Sequence, residues 1–205
     1  MTTGVILAGG EASRMPNKIL LPVECGVLFE SALKFLRRSE CDPIVIVQNK
    51  LRWPELYLKS RHRDEGIQFV VQPEPEGVCD AINRAAPLVS DYACITFADN
   101  LYPWDHIHNY TGENYATYMN LKDHPKAVKA QLDRYPWEQR KLDDHDTFFA
   151  GYMHLSRRTM EDVSGNLMDA FNRFKIKGQK VNDIGWWDLG TVENYQSYLH
   201  LRSIT

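Results

Sequence analysis

Two glycines and two cations follow the first apolar run of the chain and are suited to binding a phosphate-bearing ligand. The segment 7–18 reads LAGGEASRMPNK. Glycines in a tight turn let backbone N–H groups approach an anion, while Arg14 supplies forked donors and Lys18 a compact positive charge. The plain alternative is a flexible turn with two solvated cations, since the spacing matches neither GxGxxG nor GxxxxGK[ST]. The candidate triphosphate-binding residues are Leu7, Ala8, Gly9, Gly10, Arg14 and Lys18.

A second segment, 71–82, has residues suited to recognising a nucleobase. It reads VQPEPEGVCDAI, closing an apolar run and opening a segment of helical period. The side chain of Gln72 offers both a donor and an acceptor, which suits the imide edge of uracil or thymine. Gly77 would let a base lie close to the backbone. Taken alone, the segment is equally typical of a proline-bounded loop that caps a helix.

Two carboxylates follow at positions where a metal ion could bind. Asp99 ends the apolar run 93–97, at the edge where ligands bind in parallel sheets. Asp188 lies in the segment 186–195, which reads WWDLGTVENY. Taken singly, Asp99 is typical of a turn and Asp188 of a charge at a helix N-terminus, and their separation in the chain says nothing about pairing.

The elements that carry these residues alternate in type over the first hundred residues. Short apolar runs predict strands buried on both faces, at 4–7, 44–47, 67–71 and 93–97. Segments of helical period lie between them, at 28–36, about 55–60, and 78–85. This alternation predicts an α/β fold with a mainly parallel sheet flanked by helices.

The order of elements changes in the second half of the chain. Strands are expected at 115–119, 127–132 and 148–155, with a polar stretch at 133–146. A helix at 162–174, a strand near 181–187 and a final helix at 192–201 complete the prediction. We expect one domain over 1–205, with a mixed sheet and an inserted strand-rich region.

Composition excludes several classes of function. The chain has 205 residues and a formal net charge of −3, which gives no reason to expect nucleic-acid binding. No apolar run is long enough to span a bilayer, and no charged-then-apolar leader opens the chain. The four cysteines lack metal-binding spacing and favour buried free thiols in a cytoplasmic protein. Whether the chain forms a homo-oligomer is open.

Several of these segments together resemble one enzyme family. The pattern LAGG-x3-R-M-x2-K-x-LLPV at 7–23 is similar to the signature of sugar-phosphate nucleotidyltransferases, most closely the glucose-1-phosphate thymidylyltransferase-like enzymes. VQP-x3-G, FADN, FAGY and WWDLGT resemble that family's base-recognition, GDN, V-x-G-[LIV]-Y and W-x-D-x-GT segments. The resemblance spans 4–23, 69–100 and 181–195, and is weak over 101–180.

The resemblance implies a Rossmann-like nucleotidyltransferase fold, with a nucleotide-binding half at 1–100 and a half at 101–205 for the sugar and second metal ligand. Asp99 and Asp188 would together hold Mg²⁺, which prefers oxygen ligands. Gly9, Gly10, Arg14, Lys18, Gln72, Gly77 and Asp99 would bind the nucleotide. Asn100, Glu138, Lys141 and Gly151 are the candidate sugar-binding residues, although 137–141 is equally typical of a solvated charge run.

The expected reaction is in-line attack of a sugar phosphate oxygen on the α-phosphorus of dTTP or UTP, with release of pyrophosphate. Arg14 and Lys18 would stabilise the leaving group, and no general base is needed. Only three residues separate the two cations, which is shorter than in the thymidylyltransferases. A cytidylyltransferase acting on an alcohol or cofactor phosphate, and a non-catalytic nucleotide-sugar binding protein, are therefore alternatives.

Overall fold

The computed structural model describes residues 2–10, 15, 17–24, 26–102, 113–120, 139–142, 145–181 and 186–202, with the backbone alone for 139–142 and 145. The strands are β1 Thr3–Ala8, β2 Pro22–Val23, β3 Gly26–Val27, β4 Ile44–Asn49, β5 Ile67–Gln72, β6 Tyr92–Phe97, β7 Asn100–Leu101, β8 Tyr115–Asn120, β9 Gln139–Leu142, β10 His145–Ser156, β11 Lys177–Lys180 and β12 Trp187–Asp188. The helices are α1 Leu28–Arg38, α2 Trp53–Ser60, α3 Val78–Ala85, α4 Arg157–Asp162, α5 Leu167–Arg173 and α6 Val192–Arg202, with short 3₁₀ turns at Lys18–Leu20 and Ala86–Leu88.

The main sheet has the strand order β11-β8-β10-β6-β1-β4-β5, and β9 pairs with β10 at its side. Strands β6, β1, β4 and β5 run parallel, whereas β10 runs antiparallel to its neighbours β6, β8 and β9. This mixed, mainly parallel sheet flanked by helices confirms the predicted fold class.

The central strands are buried on both faces, as their continuous apolar runs predict. Successive side chains of β1 point to opposite faces, so Val5 and Leu7 pack in the cluster with α3, α4 and α5. Ile6 and Ala8 pack in the second cluster, with α1 and α2. Since helices cover both faces, the carboxyl ends of these strands are where the sheet can meet a ligand.

Two expected elements of the second half differ in the structure. The helix predicted at 162–174 begins later, as α5 at Leu167, and the separate helix α4 ends at Asp162. Between them Gly165 has a φ of +74°, which a continuous helix does not allow. The side chain of Asn166 then caps α5 by accepting a hydrogen bond from the Met168 amide at 2.8 Å. The strand predicted near 181–187 is also wrong in its bounds, since β11 ends at Lys180 and β12 holds only Trp187 and Asp188. The predicted strand at 127–132 lies outside the described residues.

Three cysteines, Cys41, Cys79 and Cys94, are buried free thiols. No helix in the described part of the chain combines the length and apolar character needed to cross a membrane.

The buried side chain of Tyr102 joins the end of β6 to β10. Its hydroxyl accepts a hydrogen bond from the Phe97 amide at 2.9 Å and donates one to the Gly151 carbonyl at 2.7 Å. Burial raises the pKa of Tyr102 well above its ordinary value, so the hydroxyl keeps its proton and remains a donor. The ring also stacks on Phe35, with 4.9 Å between centroids. Tyr102 therefore fixes the backbone that leads into Asp99.

We expect Tyr102→Phe to lower the free energy of unfolding by about 1–3 kcal/mol, because it leaves the Phe97 amide and the Gly151 carbonyl without their shared partner. Chemical denaturation measures this change. Tyr57→Phe is the matched control, since the Tyr57 hydroxyl makes no hydrogen bond to a described residue, and it should change stability by less than about 0.5 kcal/mol. Equal effects of the two substitutions would contradict this role for Tyr102.

Candidate functional site

The site lies at the carboxyl ends of β1 and β6, where the chain changes its winding direction. From β1 the chain passes through α1 to β4 and then through α2 to β5, each strand adding to the same side. From β5 it returns through α3 to β6, on the opposite side of β1. Such a switch point leaves a crevice between two strand ends, where ligands bind in open α/β sheets. Gly9 and Gly10 leave β1 here, and Asp99 follows β6.

A cavity of about 440 Å³ opens along this edge of the sheet. Its size is within the range of small-molecule and cofactor sites. Eighteen residues line the cavity: Leu7, Ala8, Gly9, Gly10, Asn17, Lys18, Ile19, Asn49, Leu51, Trp53, Gln72, Pro75, Gly77, Val78, Ala81, Phe97, Ala98 and Asp99. The structure thus brings the predicted nucleotide-binding residues around one cavity, except Arg14, which lies outside the described residues.

The two glycines of the loop differ in what their missing side chains allow. A Cβ on Gly9 would collide with Oε1 of Gln72, whereas a Cβ on Gly10 would meet nothing within 4 Å. Gly9 therefore lets the side chain of Gln72 approach the glycine loop, which the sequence did not indicate. Gly10 is exposed and has open space, as expected for a backbone that faces an anion.

Gln72 is held in one orientation by its own hydrogen bonds. Its Nε2 donates to the Gly77 carbonyl at 3.0 Å and to the Asp80 carboxylate at 2.7 Å. Because the hydrogen bond from Arg84 lowers the pKa of Asp80, that carboxylate stays ionised and remains an acceptor. Both partners are acceptors, so the amide nitrogen faces them and Oε1 faces Gly9. Gln72 thus offers a ligand an acceptor and has no uncommitted donor.

Gly77 joins β5 to α3 and has a φ of +92°, a conformation that favours glycine. It precedes the first residue of α3, Val78, and its carbonyl receives the hydrogen bond from Gln72. A side chain at this position would be strained whatever the surrounding space. Gly77 therefore fixes the turn that closes the base end of the cavity.

The two predicted metal-binding carboxylates are brought together by a short antiparallel pair of strands. β12 pairs with β7 so that Asp188 lies opposite Asn100, the residue that follows Asp99. The Leu189 amide donates to the Asp99 carbonyl at 2.9 Å, and the Gly190 amide donates to Oδ1 of Asp188 at 2.8 Å. Two parts of the chain that are distant in sequence therefore present their carboxylates side by side.

Gly190 lies between the two carboxylates and the loop lysine. A Cβ on Gly190 would be 2.9 Å from Oδ1 of Asp188, 3.3 Å from Oδ2 of Asp99 and 3.6 Å from Nζ of Lys18. Lys18 and Asp99 form an ion pair with four-fifths of each side chain buried. Three charged groups thus meet around one point, and only a residue without a side chain leaves that point open.

This arrangement fits a divalent cation such as Mg²⁺. Carboxylate oxygens are its preferred protein ligands, and it usually keeps several waters and substrate phosphates in its shell. No group of three or more His, Cys, Asp or Glu side chains suited to a metal occurs within the described ranges. Two carboxylates beside an open point, with the remaining positions left to phosphates and water, are what such a shared site requires.

The candidate sugar-binding residues are only partly brought together. Asn100 is buried, and its side-chain amide occupies the space beside Gly151 where a Cβ would lie. Gly151 has a φ of +73° and interrupts the register between β10 and β8. Lys141 lies opposite Asp146, five residues along β10 from Gly151, or about 16 Å at ~3.3 Å per residue. Glu138 lies outside the described residues.

Three residues that position the site were not predicted: Tyr102, Trp186 and Gly190. Trp186 is buried, and its indole N–H donates to the Ala150 carbonyl at 3.0 Å, which anchors the segment before Asp188. Trp186 and Gly190 both lie in the recognised WWDLGT segment, so the motif itself was the available signal. Tyr102 carries no local signal, because its partners lie on two other strands.

A cavity at the switch point, two neighbouring carboxylates and a partly buried lysine are features of an α/β domain that binds a small ligand at this edge of its sheet. A family model described as the MobA-like NTP transferase domain matches residues 4–114. This match covers more than half of the chain, and the chain belongs to that family.

Two further comparisons agree with the family. The bifunctional protein GlmU of Cereibacter sphaeroides is 33% identical over 91 residues, which cover 42% of this chain and 20% of GlmU. The chain thus matches a fifth of the length of this curated relative. A solved structure from Bacillus anthracis, named as a glucose-1-phosphate thymidylyltransferase in complex with a sucrose, has a TM-score of 0.75. It is 18% identical, with 98% of this chain and 95% of that chain covered, and shows the shared fold.

We expect Gly190→Ala to weaken binding of Mn²⁺, used as a measurable substitute for Mg²⁺, by about 10-fold, because the methyl group displaces the Asp188 carboxylate. Titration calorimetry without nucleotide measures this affinity. Gly10→Ala is the control, since it adds the same methyl group where there is room. Mn²⁺ binding by Gly190→Ala at the strength of the wild type would show that this point is not part of a metal site.

Proposed function

We propose that the chain transfers a nucleotidyl group from dTTP or UTP to a sugar 1-phosphate and releases pyrophosphate. The observation that carries the proposal is the meeting of Lys18, Asp99 and Asp188 around Gly190, at the end of a nucleotide-sized cavity. Cations and a metal-binding carboxylate pair beside an anion-binding loop are suited to phosphoryl chemistry. The family match supports the transferase class, and the choice of nucleotide and sugar is the proposal.

The residues of the site would act by positioning and by charge. The backbone of Gly9 and Gly10 would hold the phosphates against the end of β1. A sugar phosphate oxygen would attack the α-phosphorus in line, and the bond to the pyrophosphate oxygen would break. Because a phosphate dianion is already nucleophilic at neutral pH, no side chain needs to remove a proton. Mg²⁺ held by Asp99 and Asp188 would supply Lewis-acid stabilisation of the α-phosphate charge.

Lys18 would have two successive partners. In the structure its ammonium neutralises Asp99, next to the second carboxylate of Asp188. In the reaction the same ammonium would stabilise the departing pyrophosphate. Arg14, four residues earlier, would add forked donors to the same leaving group.

The base preference rests on the fixed amide of Gln72. Its Oε1 could accept a hydrogen bond from the imide N–H of uracil or thymine. Cytosine and adenine present a lone pair at the corresponding ring position and would face Oε1 unfavourably. A mismatched buried hydrogen bond costs about 1–3 kcal/mol, which corresponds to roughly 10- to 100-fold discrimination. Gly77 would bring the backbone close to the base.

The sugar would lie on the other side of the carboxylates from the base. Asn100 and Gly151 meet beside Asp99 and are the residues we assign to the sugar. We do not assign Lys141 to the sugar, because β9 holds it opposite Asp146 and away from Gly151. A sugar-binding role of Glu138 stays a prediction from the sequence. These assignments leave the identity of the sugar phosphate to experiment.

One rival acceptor has a specific observation in its favour. The three-residue spacing between Arg14 and Lys18 is more compact than in the thymidylyltransferases. This spacing favours an enzyme that transfers a nucleotidyl group to an alcohol phosphate or a cofactor phosphate. The nucleotide site would be the same, so a matrix of substrates separates the two functions.

We expect pyrophosphate release with UTP or dTTP and a sugar 1-phosphate in the presence of Mg²⁺, and about 10- to 100-fold lower kcat/KM with CTP or ATP. A matrix of these triphosphates against sugar 1-phosphates and alcohol phosphates measures this preference by pyrophosphate release. Asp99→Asn and Asp188→Asn are the controls for the metal site and should lower turnover by orders of magnitude.

The outcomes of the matrix are distinct. A preference for CTP with an alcohol phosphate would establish the rival function, and a preference for ATP would overturn the role of Gln72. A preference for GTP, whose ring N–H can also donate to Oε1, would overturn the choice of a pyrimidine base. Saturable nucleotide-sugar binding without any pyrophosphate release would instead indicate a non-catalytic binding protein.

We expect Lys18→Met to lower kcat/KM by about 100-fold, close to 3 kcal/mol of transition-state stabilisation. The same variant should bind Mn²⁺ more tightly than the wild type without nucleotide, because Asp99 is no longer paired with an ammonium. Lys59→Met removes another ion-paired lysine, on the outer side of α2, and should change neither quantity. Full activity of Lys18→Met would leave the leaving-group role to Arg14.

A further inference from the structure

Two large apolar side chains stand exposed at the mouth of the nucleotide cavity. Leu51 is 57% exposed and Trp53 39% exposed, and both line the cavity. Single exposed apolar residues are normal on a protein surface. Two of them close together, at the rim of a cavity whose other walls carry the glycine loop and Gln72, are suited to a ligand with an apolar face.

The turn that carries these side chains is attached to the phosphate loop. Asn49, the last residue of β4, donates from Nδ2 to the Gly10 carbonyl at 3.2 Å. Its Oδ1 accepts a hydrogen bond from the Leu51 amide at 3.0 Å. One side chain therefore holds the Leu51–Trp53 turn and the glycine loop at a fixed spacing.

The first turn of α2 is held to β4 by a second pair of hydrogen bonds. Gln48 is fully buried, and its Oε1 accepts from the Glu55 amide at 3.2 Å. Its Nε2 donates to the Glu55 carboxylate at 2.8 Å. Trp53, the first residue of α2, is thereby held at the rim by the strand beneath it. A wall that is already in place loses little conformational freedom when a ligand binds.

The strand order indicates which part of a bound nucleotide would lie beside Leu51 and Trp53. β4 lies between β1, which carries the glycine loop, and β5, which ends in Gln72, and Asn49 is paired in register with Gln72. A nucleotide with its phosphates at the end of β1 and its base at the end of β5 must cross the end of β4. Leu51 and Trp53 follow that end directly. The nucleoside would therefore pass beside them.

We infer that Trp53, supported by Leu51, forms an apolar wall against which the nucleoside part of the triphosphate packs. The inference rests on the proposed function and adds a binding residue outside the phosphate loop and the Gln72–Gly77 segment. Every base has an aromatic face, so stacking on an indole favours binding without selecting a base. Trp53 thus sets affinity, while Gln72 sets base preference.

Titration calorimetry with two probes, a nucleoside triphosphate and inorganic tripolyphosphate, separates this role from a structural one. Trp53→Ala should weaken UTP binding about 10-fold or more, which is the usual effect of losing a stacked aromatic, and leave tripolyphosphate binding unchanged. Trp53→Phe should retain most of the UTP affinity. The UTP-to-CTP affinity ratio should stay at its wild-type value in Trp53→Ala.

Leu56→Ala is the matched control, because Leu56 lies on the same helix, is 53% exposed and is not among the residues lining the cavity. It should bind UTP as the wild type does. The inference is overturned if Trp53→Ala binds UTP at full strength, or if it loses UTP and tripolyphosphate equally.

Failure of the proposed function would look different. A wild type that binds a triphosphate but releases no pyrophosphate would contradict the enzyme and still allow the wall to be tested with that triphosphate. A wild type that binds none of UTP, dTTP, CTP, ATP and GTP would overturn both.

Discussion

The pairing of β12 with β7 is the interaction on which the rest of the site depends. Only two residue pairs form this ladder, yet it places Asp188 beside Asp99 from the far end of the chain. Such a short ladder is not stable alone. Trp186 anchors one side of it to β10, and the fully buried Leu189 packs on the other side. The core therefore supplies the stability that brings the carboxylates together.

The juxtaposition of like charges explains why a lysine lies where it does. Two carboxylates that converge on one point repel each other, and the ion pair between Lys18 and Asp99 relieves part of that repulsion. Because these side chains are largely shielded from water, the attraction is stronger than at an exposed surface. A cation bound by these carboxylates would compete with the ammonium for Asp99. Cation binding and release of the Lys18 ammonium would therefore be physically linked.

The residues at the glycine-loop end of the cavity also hold one another in place. Gly9 has no side chain, so Gln72 can approach the glycine loop, and Gln72 in turn donates a hydrogen bond to the Gly77 carbonyl. Asn49, which precedes the turn that carries Leu51 and Trp53, donates a hydrogen bond to the Gly10 carbonyl. The contact of Gln72 with Gly9 joins the end of β5 to that of β1, and the hydrogen bond from Asn49 to Gly10 joins the end of β4 to that of β1. The ends of β1, β4 and β5 therefore present their loops as one surface. The sheet fixes the positions of the strand ends, and the polar side chains that follow those ends are fixed with them.

The sequence alone determined the central strands of the sheet and several residues of the candidate site. The central strands are buried on both faces, so their apolar runs mark them without reference to partners, and the glycine loop, Asp99 and the WWDLGT segment mark the family. The tertiary structure decided the rest. The pairing of Asp99 with Asp188, the two-sided contacts of Tyr102 and the orientation of the Gln72 amide each depend on strands far apart in the chain. A short sequence pattern predicts which strands are buried and where turns lie, because both depend mainly on residues that are neighbours in the chain. Which distant side chains meet is decided by the packing of the whole sheet.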